Sequence, residues 1–191
     1  LTDFAVIQKY LWIAVLGLGA AFSLNFGMGL FSVVSNSTGY QQVADAQYGV
    51  SFFIGLFLYG VVSPVTEEII YRGITYQRLK RTFGVIPAML ISALIFGGLH
   101  GNWVQAVYGT LMGILLAWVY EKYAGFLAPV LVHMAANLGV YSITYGSRLA
   151  GLSRKTCIIA TIVSVLITGV CFWYLNWKMS QSAGMMHNEG E

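Results

Sequence analysis

Charge is what this chain has least of. Only 9% of its 191 residues are charged, against 58% hydrophobic, where soluble domains carry about 25% and about 45–50%. A soluble fold of this length could not cover its surface with so few charges, so the composition predicts an integral membrane protein. The net charge of +3 is small and scattered, which excludes nucleic-acid binding as a main role. Cysteine is scarce too. Cys157 and Cys171 share one apolar run and would stand about 21 Å apart on a helix, too far to bridge each other. No basic stretch followed by an apolar run and a small-residue cleavage site opens the chain, so no removable signal peptide is expected.

Long apolar runs are plentiful. A helix needs about 20 apolar residues to cross the hydrocarbon core, and the runs are Leu11–Val34, Val50–Val65 running on into the Glu67–Arg72 stretch, Gly84–His100, Trp103–Tyr120, Phe126–Tyr145 and Thr156–Trp177. These predict an all-α polytopic transmembrane bundle of about six spans. It would be one integral membrane domain over residues 1–191, with a four-helix catalytic core at 50–145 and a polar tail at 184–191. Two small-xxx-small pairs, Gly97/Gly101 and Gly109/Gly113, would bring the third and fourth spans close together; glycines that merely face lipid are the alternative.

Basic residues orient such a bundle. Arg78, Lys80 and Arg81 follow the second span and Lys122 follows the fourth, so both ends read as cytoplasmic. The segment Ser35–Gly49 holds Asp45 and no Lys or Arg, which suits the outer side. Arg148, Arg154 and Lys155 disagree with strict alternation. Either the fifth segment does not cross fully, or the count of spans is off by one.

Five of the seven acidic residues lie in tails or between spans; the other two are adjacent, Glu67 and Glu68. His100 and His133 also sit in apolar runs. Ionisable groups at mid-membrane cost about 2.5–3.5 kcal/mol each on insertion scales, so such a concentration points to function. Glu68 and Arg72 are i,i+4 with the acid first, the favourable order for a pair on one helix face. Glu67 points elsewhere. Ser63 and Pro64 could instead mark a helix start, with the acids at its positive end, which explains one acid and not an internal arginine. Counting from a turn near Gly84, Glu67 and His100 each rise about 25 Å on antiparallel helices, so they sit level. Gly98–Gly101 and Pro129–His133 leave room for backbone irregularity. His133 and Asn137 form a second i,i+4 polar pair, where a lone histidine would more often be an ordinary interhelical hydrogen bonder.

Three patterns therefore stand in order: Glu67-Glu68-x-x-x-Arg72, Phe96-x-x-x-His100 and His133-x-x-x-Asn137. Together they resemble the CAAX protease and bacteriocin-processing (CPBP, Abi, Rce-type) family of intramembrane proteases, over about residues 50–145. The resemblance implies a helical core with a conical cavity reached from the cytoplasmic side. It implies that Glu67 and His100 hold and activate a water, that His133 and Asn137 stabilise the oxyanion, and that Glu68, Arg72 and Phe96 support the architecture. Zinc held by Glu67, His100 and His133 is the alternative, but HExxH is absent and no cysteine lies nearby. A metal-independent glutamic-type reaction without cofactor is therefore expected.

The short loops hold nothing that reads an isoprenoid. The expected partners are the lipid bilayer and a peptide precursor or membrane-protein segment, with bacterial cytoplasmic membrane as the location. Peptide maturation, immunity and signalling remain open as roles, as does the oligomeric state. Two other functions compete: a non-catalytic scaffold of the same fold, and a proton-coupled transporter using Glu67 and His100 as a relay. No repeated half or pair of broken segments supports the transporter.

Overall fold

The computed structural model describes residues 3–31, 34, 36–123, 125–145 and 152–188, with side chains described except at 3–5 and 179–188. These residues form seven helices and no strand. They are α1 (Asp3–Leu30), α2 (Thr38–Tyr48), α3 (Phe52–Phe83), α4 (Val85–Gly98), α5 (Trp103–Tyr123), α6 (Leu127–Tyr145) and α7 (Arg154–Asn188). Five, α1, α3, α5, α6 and α7, are long and apolar enough to cross a membrane. The protein is a polytopic helical bundle.

Its boundaries correct the expected ones. The second span runs on through both acids and Arg72, as expected, and reaches Phe83. The third, expected over Gly84–His100, is helical for only 14 residues, Val85–Gly98. That is about 21 Å, short of the roughly 30 Å hydrocarbon core. It stops because the chain turns at Leu99–Asn102, where Gly101 takes a positive φ of 80°, leaving His100 beyond the helix. The turn at Gly84 (φ 81°) lies where expected. Pro129 falls in the first turn of α6, where its missing N–H costs nothing, so that helix is unbroken. The tail expected at 184–191 is helical as far as Asn188; the remainder, like Arg148, lies outside the described residues.

The polar segment before the second span forms α2, whose first turn is capped by Ser37 Oγ accepting from the Tyr40 amide at 3.2 Å. Inside α3, two stretches widen to π-helical turns, Leu58–Val62 and Ile69–Tyr76, on either side of an α-helical turn at Ser63–Glu68.

The bundle has two distinct ends. Lys80 pairs with Glu121 at 2.7 Å, Lys122 donates to Asn176 and Lys178 to Gln8, and Lys9 lies 4.7 Å over the Tyr123 ring. These contacts gather the start of α1, the α3–α4 and α5–α6 turns and the last part of α7 into one basic end. A buried core joins α1, α5, α6 and α7 in that half: Ile13, Leu16, Leu116, Val119, Val132 and Leu175. The opposite end holds α2 and the α4–α5 turn. Tyr145 packs against Phe52 there, so α6 runs from one end to the other, and Arg154 and Lys155 belong to the α2 end. The apolar face of α7, with Ile159, Ile162, Leu166 and Trp173 exposed, suits contact with lipid.

Lipid is as apolar as the helices, so close packing and polar contacts hold the bundle together. A Cβ at Gly97 would run into the Ala106 carbonyl, and one at Gly113 would meet Ala93 at 3.0 Å. Glycine at these positions, and at Gly109, lets α4 and α5 touch. Gly101, by contrast, belongs to the turn and packs against nothing.

Candidate active site

The site is built on a buried charge pair. Glu68 and Arg72 are 0% and 1% exposed, and Arg72 Nη1 donates to Glu68 Oε1 at 2.9 Å. A buried ion pair is costly unless further hydrogen bonds use its remaining capacity, and here they do so in part, since the buried Glu68 Oε2 and Arg72 Nε make no hydrogen bond among the described residues. Arg72 Nη2 donates to the Gly113 carbonyl of α5 at 3.0 Å, and its guanidinium lies 4.9 Å over the Phe96 ring of α4. Glu68 Oε1 also faces His133 Nδ1 of α6 at 2.8 Å. Since Arg72 keeps Glu68 an acceptor, Nδ1 carries the proton. The pair thus ties three further helices to α3, Glu68 reaching α6 and Arg72 reaching α4 and α5.

Glu67, the neighbouring residue, is different. Its side chain is 25% exposed and turns into a cavity of about 280 Å³. Ser63, one turn back, donates its hydroxyl to Glu67 Oε1. Glu67 Oε2 lies 3.6 Å from His133 Nε2. His133 therefore stands between the two acids, one ring nitrogen towards each. The same cavity is lined by His100 and Asn137. His100 Nδ1 donates to the Phe96 carbonyl at 2.7 Å, so Nε2 is the unprotonated nitrogen of the neutral ring. Asn137 Nδ2 donates to the Tyr59 carbonyl at 2.9 Å.

Glu67, His100, His133 and Asn137 thus come from separate parts of the chain to one cavity. Their partnering differs from the expected one. Among the described residues, the imidazole within 4 Å of Glu67 is that of His133, not His100. The height argument treated both helices as regular, whereas α3 carries π turns and His100 lies past the end of α4. Sequence reading also missed Ser63, considered only as a possible helix cap, although its i,i+4 spacing to Glu67 was visible. The Tyr59 and Gly113 carbonyls carry no sequence signal at all.

The zinc alternative requires Glu67, His100 and His133 to converge. Among the described residues, no group of three or more His, Cys, Asp or Glu side chains is gathered closely enough to hold a metal ion. As arranged, the three do not fit one.

With this geometry in view, comparison with known proteins is informative. Residues 49–139, which carry all three motifs, match the family described as type II CAAX prenyl endopeptidase, Rce1-like. Over this segment, just under half of its length, the chain is similar to the Rce1-like family. Among curated proteins, the chain is 29% identical over 126 residues to YdiL of Bacillus subtilis (strain 168), named as a candidate membrane peptidase, covering 66% of this chain and 50% of YdiL. It is 24% identical over 111 residues to YxdF of Lactococcus lactis subsp. lactis (strain IL1403), a UPF0177 protein, covering 57% and 59%. The chain spans about half the length of the curated relatives it matches. No solved structure matches it significantly. In the matched segment lie α3, α4, α5 and most of α6; α1 and α7 pack on its outside.

Proposed function

We propose that this protein is an intramembrane endopeptidase that hydrolyses a peptide bond in a membrane-associated protein or peptide precursor, using a water activated by glutamate and histidine. The observation that carries the reading is the division of labour between adjacent acids. Glu68 is consumed by a buried network, while Glu67 faces a cavity shared with two imidazoles and an amide. A scaffold would need the first arrangement and has no use for the second.

Glu67, fixed by Ser63, takes a proton from water as the oxygen adds to the scissile carbonyl carbon. His100 holds the water through its free Nε2. The carbonyl oxygen becomes an oxyanion, which Asn137 meets with its second amide hydrogen and His133 with Nε2–H when the ring is doubly protonated. Collapse breaks the C–N bond, and Glu67 returns the proton to the departing amine. Glu68 holds His133 in orientation throughout. The sequence needs no metal ion.

Mass spectrometry of membrane peptides from cells carrying the wild-type protein or Glu67→Gln tests this. Peptides that vanish with the variant, each ending at a common cleavage site, are expected. Identical peptide sets at equal protein levels would sink the reading.

A further inference from the structure

The cavity has a direction. Its walls come from the α2 end of the bundle: Met28, Tyr40 and Gln47 line it, as do Tyr59, Tyr108 and Tyr141. No lining residue comes from the basic end. Between the Glu67 level and that end the bundle is closed by the buried Glu68–Arg72 pair, and beneath it by Tyr76, Ala88 and Ala117, packed with Leu79, Met89 and Tyr120. Gln77 donates to the Tyr120 hydroxyl and Lys80 pairs with Glu121, fastening α3 to α5 below that layer.

Charge gives this direction a meaning. Lys9, Arg78, Lys80, Arg81, Lys122 and Lys178 belong to the sealed end, whereas the α2 end carries Arg154 and Lys155, with Arg148 in the same connection by sequence. Six basic residues face three. The α1–α2 and α2–α3 connections and α2 itself carry none, and α2 carries Asp45. Membrane proteins keep the end richer in Lys and Arg in the cytoplasm. Because α6 runs from end to end, Arg154 and Lys155 stand at the α2 end with the alternation of spans kept, and on this charge balance they are the minority.

We propose that the cavity opens on the non-cytoplasmic face of the membrane and receives peptide segments presented there. The resemblance implied cytoplasmic entry; the sealed basic end closes that route in this chain. α2 lies across the mouth, with Tyr40, Val43, Gln47 and Tyr48 turned to the cavity and Gln41, Gln42 and Asp45 exposed. A guest meets α2 and a ring of tyrosines before it meets Glu67. The sidedness stands without the peptidase reading; the nature of the guest rests on it.

The test uses the full chain in spheroplasts, with Cys157→Ser to remove the more accessible native thiol; Cys171 is buried. Gln42→Cys on α2 and Thr82→Cys beside the Gly84 turn are each treated with a charged, membrane-impermeant maleimide before and after permeabilisation. Gln42→Cys should label equally in both conditions, and Thr82→Cys should lose its labelling in intact spheroplasts. The reverse pattern, or labelling of both positions from outside, overturns the proposal. Asp45→Cys replaces Gln42→Cys if that variant does not accumulate. The readout involves no cleavage, so an inactive protein leaves it intact. For the guest, attaching a bulky impermeant maleimide at Gln42→Cys from outside should cut formation of the Glu67-dependent peptides at least tenfold. Unchanged formation overturns entry past α2.

Discussion

The side-chain amide of Asn137 donates to the backbone carbonyl of Tyr59 at 2.9 Å, and Pro64 is the reason that carbonyl is free. In this part of α3 the bonds run from residue i to i−5: the Ser63 amide donates to the Leu58 carbonyl. The next such bond would run from residue 64 to Tyr59, and proline has no N–H to give. A fully buried carbonyl left unpaired costs about 1–3 kcal/mol, an upper bound for this partly buried one. The third motif thus repairs a gap that Pro64 opens three residues before the first, which holds Asn137 at the cavity it shares with Glu67.

This predicts a coupling between two distant positions. Asn137→Ala should destabilise the protein, by at most about 1–3 kcal/mol. In a Pro64→Ala background, whose new amide can reach Tyr59, the same substitution should cost less. A double-mutant cycle on melting in detergent measures the difference. Strict additivity would show that Tyr59 does not link the two.

Glu67→Gln and His100→Ala should each reduce peptide cleavage by about 10²–10⁴-fold while the protein still inserts and melts as the parent does. Full activity in either variant would remove that residue from the mechanism. Ser63→Ala should cost less than Glu67→Gln, since it orients the carboxylate without replacing it.

Glu68→Ala should act first on stability. It leaves Arg72 buried without its acid and His133 without its partner, a change costing about 3–5 kcal/mol. Low yield and early melting are expected. A variant that is stable yet inactive would move Glu68 into the chemistry.

Incubation with a zinc chelator should leave cleavage unchanged. Loss of activity that added zinc restores would show that Glu67, His100 and His133 converge on an ion during the reaction, and would replace the metal-independent route.

Local relationships were legible in the sequence. Glu68 and Arg72 are one turn apart on one helix, so spacing alone pairs them, and the long apolar runs announce a helical bundle. Relationships across helices were not. His133 lies 65 positions from Glu68, and nothing in either neighbourhood names the other. Treating α3 and α4 as regular rods put His100 level with Glu67 but gave no hint that His133 is the imidazole in direct reach of it, because π turns and an early helix end shift both residues. α2 escaped notice because it is too polar for a span, and its role depends on the cavity beneath it.

The shortness of α4 has a consequence for the surrounding lipid. A 14-residue apolar helix among neighbours of 19 residues and more leaves the bilayer mismatched along one wall, and acyl chains meet such a wall by thinning. His100 stands where that wall ends. Thinning there would bring the water surface closer to the level of His100, so bilayer thickness is expected to act on turnover. In vesicles of defined composition, lengthening the acyl chains should slow cleavage while leaving the folded protein intact.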